Sequence, residues 1–216
     1  MTATLPAIGR WEAIPFRYAF SRLKRPVESG AGIVTAYTDG AVTLRSNRAK
    51  ERYHEAKDLS TFQGVMPGDF VVHGLDIMRG SIGVSDSAGA MSPVCTVCLP
   101  NRGIDANFMA YAMRVQAAAG LPKAYARGVR DGGADFRRWE TLAELPLPNP
   151  PAERQRQIAD YLDRETATID ALIDKQSELI RLSKTRRVLM IDAVLEESWS
   201  SSPLTSIKSL TGLVHV

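Results

Sequence analysis

From Ala152 to Glu197 the chain has neither glycine nor proline, a run of 46 residues in a protein of 216. No other feature constrains the fold as much. At the rise of an α-helix this stretch would be about 69 Å long, several times the length of an ordinary globular helix. The chain enters the run through Pro148, Asn149, Pro150 and Pro151. These prolines stop whatever precedes them, yet Pro151 is tolerated in a first helical turn, where the N–H groups lack intrahelical partners anyway. Apolar residues then recur at sevens. Ile158, Leu172, Leu179 and Ala193 form one row, Leu162, Ile169 and Met190 a second, and Ile173, Ile180 and Val194 a third. Glu165, Gln176, Ser183 and Arg186 interrupt the rows, so the seam is not a continuous zipper. Asp160 and Arg164 make a favourable i,i+4 pair on the wet face. A half-apolar helix this long needs a partner helix. A hairpin folding back near residues 182–187 is the alternative, but no turn signal stands there, and a single long helix is expected.

Upstream of Pro146 the style changes. In residues 68–100, GDFVVHGLDIMRGSIGVSDSAGAMSPVCTVCLP, short apolar runs alternate with Gly-rich turns. The pattern predicts strands over Phe70–Val72, Ser81–Val84 and Val94–Leu99, with a turn at Asp86–Gly89. The spacing of Phe108, Tyr111, Ala112 and Val115 predicts a helix over Ile104–Ala119. The expected fold class is therefore α+β: a mixed domain over residues 1–148, a long helix over 149–197, and a Ser-rich polar tail over 198–216 without regular structure.

Composition narrows the function by exclusion. No run approaches the ~18 consecutive apolar residues of a membrane span, and the first residues do not pattern as a secretory signal, so a cytoplasmic protein is expected. The pair Cys95 and Cys98 would need two more ligands for a structural zinc site, or a helix start for thioredoxin-type redox chemistry. Flanking Val94, Val97 and Leu99 instead make them core cysteines on a strand, and neither metal nor cofactor is expected. Asn149-Pro150-Pro151 superficially resembles an adenine-methyltransferase motif, but Ala152 stands where an aromatic ring belongs and no Gly-rich cofactor loop precedes it. Residues 29–33 lack the Gly-Lys-Ser/Thr of a phosphate loop. The net charge of +3 is concentrated upstream: residues 1–148 hold 18 Lys and Arg against 14 Asp and Glu, whereas 149–197 hold 8 against 10. A basic excess in the globular part suits a polyanionic partner, and a solvated surface accounts for it equally well.

The run from Gln155 through Ile158, Ala159, Leu162, Asp163, Glu165 and Thr166, continued by Ile169, Asp170, Ile173 and the pair Arg186-Arg187, closely resembles the conserved spacer region of specificity subunits of type I restriction–modification systems. The proline-rich strap before it fits the same pattern; Arg154 stands where the family usually has Glu. Residues 68–100, with Asn107–Arg114 and Tyr125–Pro148, resemble a target recognition domain of that family, as does the opening Trp11-Glu12 before a short apolar strand. Family members commonly carry two such domains and two such helices, so one of each makes this a half-length form. The resemblance implies a non-catalytic subunit that reads one half of a bipartite DNA target and docks the methyltransferase and motor-nuclease subunits. It also implies a homodimer through the long helix, seamed by Ile158, Leu162, Ile169, Leu172, Ile173, Leu179, Ile180 and Met190. A decoy that captures methyltransferase subunits without reading DNA is the alternative.

Reading duplex DNA requires Arg, Lys, Asn or Gln at base edges, and further cations at phosphates. Three loops supply them. Residues 43–57 offer Arg45, Asn47, Arg48, Lys50, Arg52 and Tyr53, and residues 73–80 offer Arg79. Residues 123–138 offer Lys123, Tyr125, Arg127, Arg130, Arg137 and Arg138. The last loop is preferred, because Gly128, Gly132 and Gly133 allow its backbone close to a phosphate.

Overall fold

The computed structural model describes residues 11–48, 59–126, 129–130 and 133–200, in two compact units that divide between Tyr161 and Leu162. In the first unit, a sheet of β2 (Phe20–Arg22), β9 (Cys95–Pro100), β6 (Phe70–His73) and β7 (Ile82–Val84), in that order, is antiparallel throughout. A second sheet runs β4 (Val42–Leu44), β3 (Ile33–Ala36), β8 (Gly89–Met91) and β5 (Gln63–Val65), with β3 and β8 parallel and the other neighbours antiparallel. The three strands foreseen in residues 68–100 are there; the foreseen turn at Asp86–Gly89 is shorter, because Gly89 already pairs with Val65 in the second sheet.

The first sheet is buried on both faces, which is why Phe70-Val71-Val72 is apolar without alternation. Phe70 and Val72 point into one core while Val71 points into the other. The same alternation separates the two cysteines: Cys98 joins the first core, and Cys95 joins the second with Val97. An i,i+3 spacing that would bring thiols together on a helix sends them to opposite faces of a strand. Burial pushes both thiols up to about 12, which keeps them in the neutral thiol form near neutral pH.

The first core is held by aromatic rings. Phe20 stacks on Phe70 at 4.1 Å, and Phe16 lies 4.8 Å from Phe20 and edge-on to Trp139 at 5.9 Å. Phe16 comes from the short helix α1 (Phe16–Ala19) and Trp139 from α3 (Trp139–Leu142). Helix α2 (Ala106–Ala118) starts where the Asp105 carboxylate accepts the Phe108 N–H at 2.9 Å. Its buried side chains are Phe108, Met109, Ala110, Met113, Gln116 and Ala117, whereas Val115 is 49% exposed. The inward face is thus rotated from the one the sequence spacing selected. Apolar residues surround this helix, and the choice fell to tertiary contacts, among them the Gln116 amide donating to the Pro146 carbonyl at 2.8 Å.

Strand β1 (Ala13–Pro15) pairs antiparallel with β12 (Pro146–Pro148). Prolines suit this isolated pair, since a two-stranded ribbon has outer edges that need no donor. The Asn149 N–H extends the pairing to the Glu12 carbonyl at 3.0 Å. Helix α4 (Ala152–Ser200) follows, unbroken through residues 182–187; it begins after the prolines and runs three residues past the expected end at 197, and the rest of the polar tail lies outside the described residues. The Pro151 carbonyl accepts the first helical bonds, from Arg154 and Gln155 at 2.8 and 3.1 Å, and Glu153 complements the helix dipole in the first turn.

The first turns of α4 belong to the domain. Ile158, assigned to the partner seam by its spacing, packs instead against the first core, and Ala159 is buried in it. Gln155 is 1% exposed. Its Oε1 accepts the Asp105 N–H at 2.9 Å, and its Nε2 donates to the Pro150 carbonyl at 2.8 Å and to Asn149 Oδ1 at 3.3 Å. Gln155→Ala leaves the Asp105 N–H and the Pro150 carbonyl buried without this partner, at a cost of about 1–3 kcal/mol for each. Chemical denaturation should show that loss, and should show little change for Arg154→Ala on the exposed side of the same turn.

Candidate nucleic-acid interface

Of the residues proposed in the first loop, Arg45 and Asn47 lie in a 3₁₀ turn (Arg45–Asn47) that follows β4. Arg45 donates through Nε to Thr35 Oγ1 on β3 at 2.9 Å, and Asn47 donates to Thr43 Oγ1 at 2.9 Å. Arg48 pairs with Asp39 at 2.5 Å and lies 4.1 Å above the Tyr37 ring. Burial pushes the Asp39 carboxyl up, but the Ala41 N–H and the Arg48 guanidinium outweigh it and hold the group below the ordinary carboxylate value. Lys50, Arg52 and Tyr53 fall outside the described residues.

In the second loop, Arg79 ends a 3₁₀ turn (Ile77–Arg79), closed by Gly80 at a φ of 84°. Its side chain is 74% exposed, and the guanidinium lies 3.7 Å from Asp76. The Asp76 N–H donates to His73 Nδ1 at 3.0 Å, which places the ring proton of neutral His73 on Nε2. Burial holds His73 below its usual pKa, and the nearby Asp76 carboxylate only partly opposes this.

The third loop is tied to the second. Phe136 is fully buried and its N–H donates to the Gly74 carbonyl at 2.8 Å. A Cβ on Gly74 would sit 2.8 Å from the Arg137 nitrogen, so only glycine admits this contact. Between Tyr125 and Phe136, β10 (Val129–Arg130) and β11 (Gly133–Ala134) pair as a narrow ribbon, with β11 against the Ile77–Arg79 turn. Lys123 and Tyr125 are exposed, as is Arg138. Arg137 is engaged with Asp135 through Nε at 3.0 Å and Nη2 at 2.6 Å. Arg127 falls outside the described residues, and Arg130 is described by its backbone alone.

The structure brings Arg45 and Arg79 together. They line one concavity of about 390 Å³ with Thr35, Tyr37, His73, Asp76, Ser81 and Ser92. Arg114, which the sequence reading missed, stands beside it. It rises from α2, half-buried, and fills the space over Gly40, where a Cβ would lie 2.5 Å from its Nη1. Its position amid the apolar run of α2 gave no signal. Among the described residues no group of three His, Cys, Asp or Glu could hold a metal ion, and no described helix is long and apolar enough to cross a membrane.

The second unit carries the remaining seam. Leu162 is half-buried, and Ile169, Leu172, Ile173, Leu179, Ile180 and Met190 are each more than half exposed. Val188, Leu189, Ile191 and Leu195, outside the seam, are equally bare.

No protein-family model matches the sequence, and a comparison with curated proteins gives no match. Solved structures do match. A chain from a study of complex assembly and conformational transition of the type I restriction–modification system superposes with a TM-score of 0.52 at 18% identity, over 82% of this chain and 43% of that one. The HsdS subunit from Thermoanaerobacter tengcongensis gives 0.48 at 19%, over 81% and 41%. The type I restriction–modification S subunit from M. genitalium gives 0.48 at 16%, over 76% and 41%. The chain spans about two fifths of the length of these structures. What it shares with the first is the fold, sheets followed by a long helix.

A depressed pKa at His73 makes the unfolded state the better proton acceptor, so its contribution to stability is present above the unfolded value near 6.5 and is lost as pH falls. The melting temperature should therefore fall as the pH drops below 6.5. His73→Asn, which keeps an acceptor for the Asp76 N–H, should flatten that part of the profile. An unchanged profile would assign the acid sensitivity to other groups.

Proposed function

We propose that this chain is a specificity subunit of a type I restriction–modification enzyme. It binds duplex DNA in a sequence-specific way, reads one half of a bipartite target, and docks the methyltransferase subunits, with the motor-nuclease subunit of the same system as a further partner. It works in the cytoplasm and catalyses nothing itself. The observation that carries this reading is the joining of an α+β domain to a 49-residue helix, the architecture shared with the type I chain. The spacer-type sequence Gln155 to Thr166 lies at that joint. The loops bearing Arg45 and Arg79, which line one concavity, support the DNA-binding part.

The exposed apolar rows of α4 support a homodimer. A lone helix with such rows is marginal in water and is stabilised by a second helix. Two copies about a two-fold axis would read an inverted repeat across an unread gap whose length the helices set.

Purified chain should bind duplex with an affinity that falls steeply with salt. With S-adenosylmethionine, ATP and magnesium added it should neither methylate nor cut. If it captures methyltransferase subunits but does not bind duplex, the decoy reading replaces this one. Methylation or cutting by pure chain would sink both.

Sedimentation tests the dimer separately. Leu172→Asp with Leu179→Asp should convert a dimer into a folded monomer. Wild-type protein that is monomeric at ~10 µM, where mass action should populate a stable dimer, would overturn self-association and leave the helix to a different chain.

A further inference from the structure

The concavity between β3 and the His73–Ser81 loop has a shape and a charge that a base-reading surface would not have. Base edges lie on the floor of a groove about 8.5 Å deep, and a protein reaches them with something that protrudes. Arg45 and Arg79 instead line a recess. What a recess admits is a ridge, and the ridges of duplex DNA are its phosphate backbones. The charge agrees with this. Two guanidinium groups face one carboxylate, that of Asp76, and His73 is held toward its neutral form by burial.

The backbone adds a donor. β3 pairs with β4 as far as Ala36↔Val42, but with β8 only as far as Val34↔Met91. The Tyr37 N–H donates to the Ala41 carbonyl, on the β4 side. Successive residues of a strand direct their N–H and C=O groups to opposite sides, so Ala36 presents its own beyond the end of β8, where the concavity opens. Ser81 and Ser92 line the same space. Cations, hydroxyls and a backbone amide together are the donor set by which proteins hold phosphate oxygens.

We propose that this concavity is a phosphate seat, which in the DNA-bound protein holds one phosphodiester of the backbone and so sets register without reading sequence. The proposal rests on the DNA-binding reading for the source of the phosphate, and on the geometry alone for its chemistry. Arg45, fastened to Thr35 through Nε, forms the fixed wall; Arg79, mostly exposed, closes from the other side.

Two measurements on the full chain separate these parts. In the first, inorganic phosphate is titrated while the His73 ring signal is followed by NMR, assigned with His73→Asn. The signal should shift in wild type and stay still in Arg45→Ala/Arg79→Ala. No shift in wild type overturns the seat. In the second, binding to duplexes of several sequences is measured against salt. Arg79→Gln, at an exposed site where folding is safe, should lower the salt slope by about one unit and weaken every duplex alike. A loss confined to one sequence would make Arg79 a base reader and overturn the proposal, as would an unchanged slope. A phosphate shift without any duplex binding keeps the seat and removes DNA as its source.

Discussion

The buried amide of Gln155 is the joint on which the rest depends. A carboxamide accepts at one atom and donates at the other, and here each end is used. It accepts from the residue that caps α2 and donates to the strap that begins α4. The start of α2, 50 residues upstream, therefore meets the strap and the first turn of α4 in one buried hydrogen-bonded group. Ile158 and Ala159, one turn on, add apolar contacts to the same core. The opening turns of α4 are thus built as part of the domain, while the helix from Asp163 to Glu197 is exposed to solvent throughout.

Much of this was legible beforehand, and for physical reasons. A long run without glycine or proline can hardly be anything but helix, and α4 is that helix. Apolar runs of strand length between Gly-rich turns located β6, β7 and β9. What periodicity could not decide was ownership. Ile158 repeats in step with Leu172 and Leu179, yet it packs against its own domain, because spacing records that a side chain is to be covered and not by what. The inward face of α2 failed for a related reason: with apolar residues all round, long-range contacts such as Gln116 to Pro146 chose the face.

The site was legible by its parts and not by its assembly. Arg45 and Arg79 stand in loops remote in sequence, and only long-range contacts, among them the parallel pairing of β3 with β8 and the bridge from Val42 to Ser85, put the two loops around one recess. Arg48 and Arg137 look alike in the sequence as loop cations, yet both are engaged by carboxylates, those of Asp39 and Asp135. A cation committed to a neighbour must be released before it can meet a ligand, and that cost ranks it behind Arg79, whose pairing at 3.7 Å is loose and exposed. The cysteines show the reverse case: a spacing suggestive of chemistry became inert once the strand period sent the thiols to opposite cores.

The pairing of β1 with β12, extended by Asn149 to Glu12, has a consequence for divergence. The chain enters and leaves the domain through a single gateway, and that gateway opens directly onto the first turn of α4. The loops carrying Arg45, Arg79 and Lys123 are all strung between its two posts. The hydrogen bonds of the gateway are made outside those loops, so a change in the length of a loop does not of itself alter the pairing that sets where α4 begins.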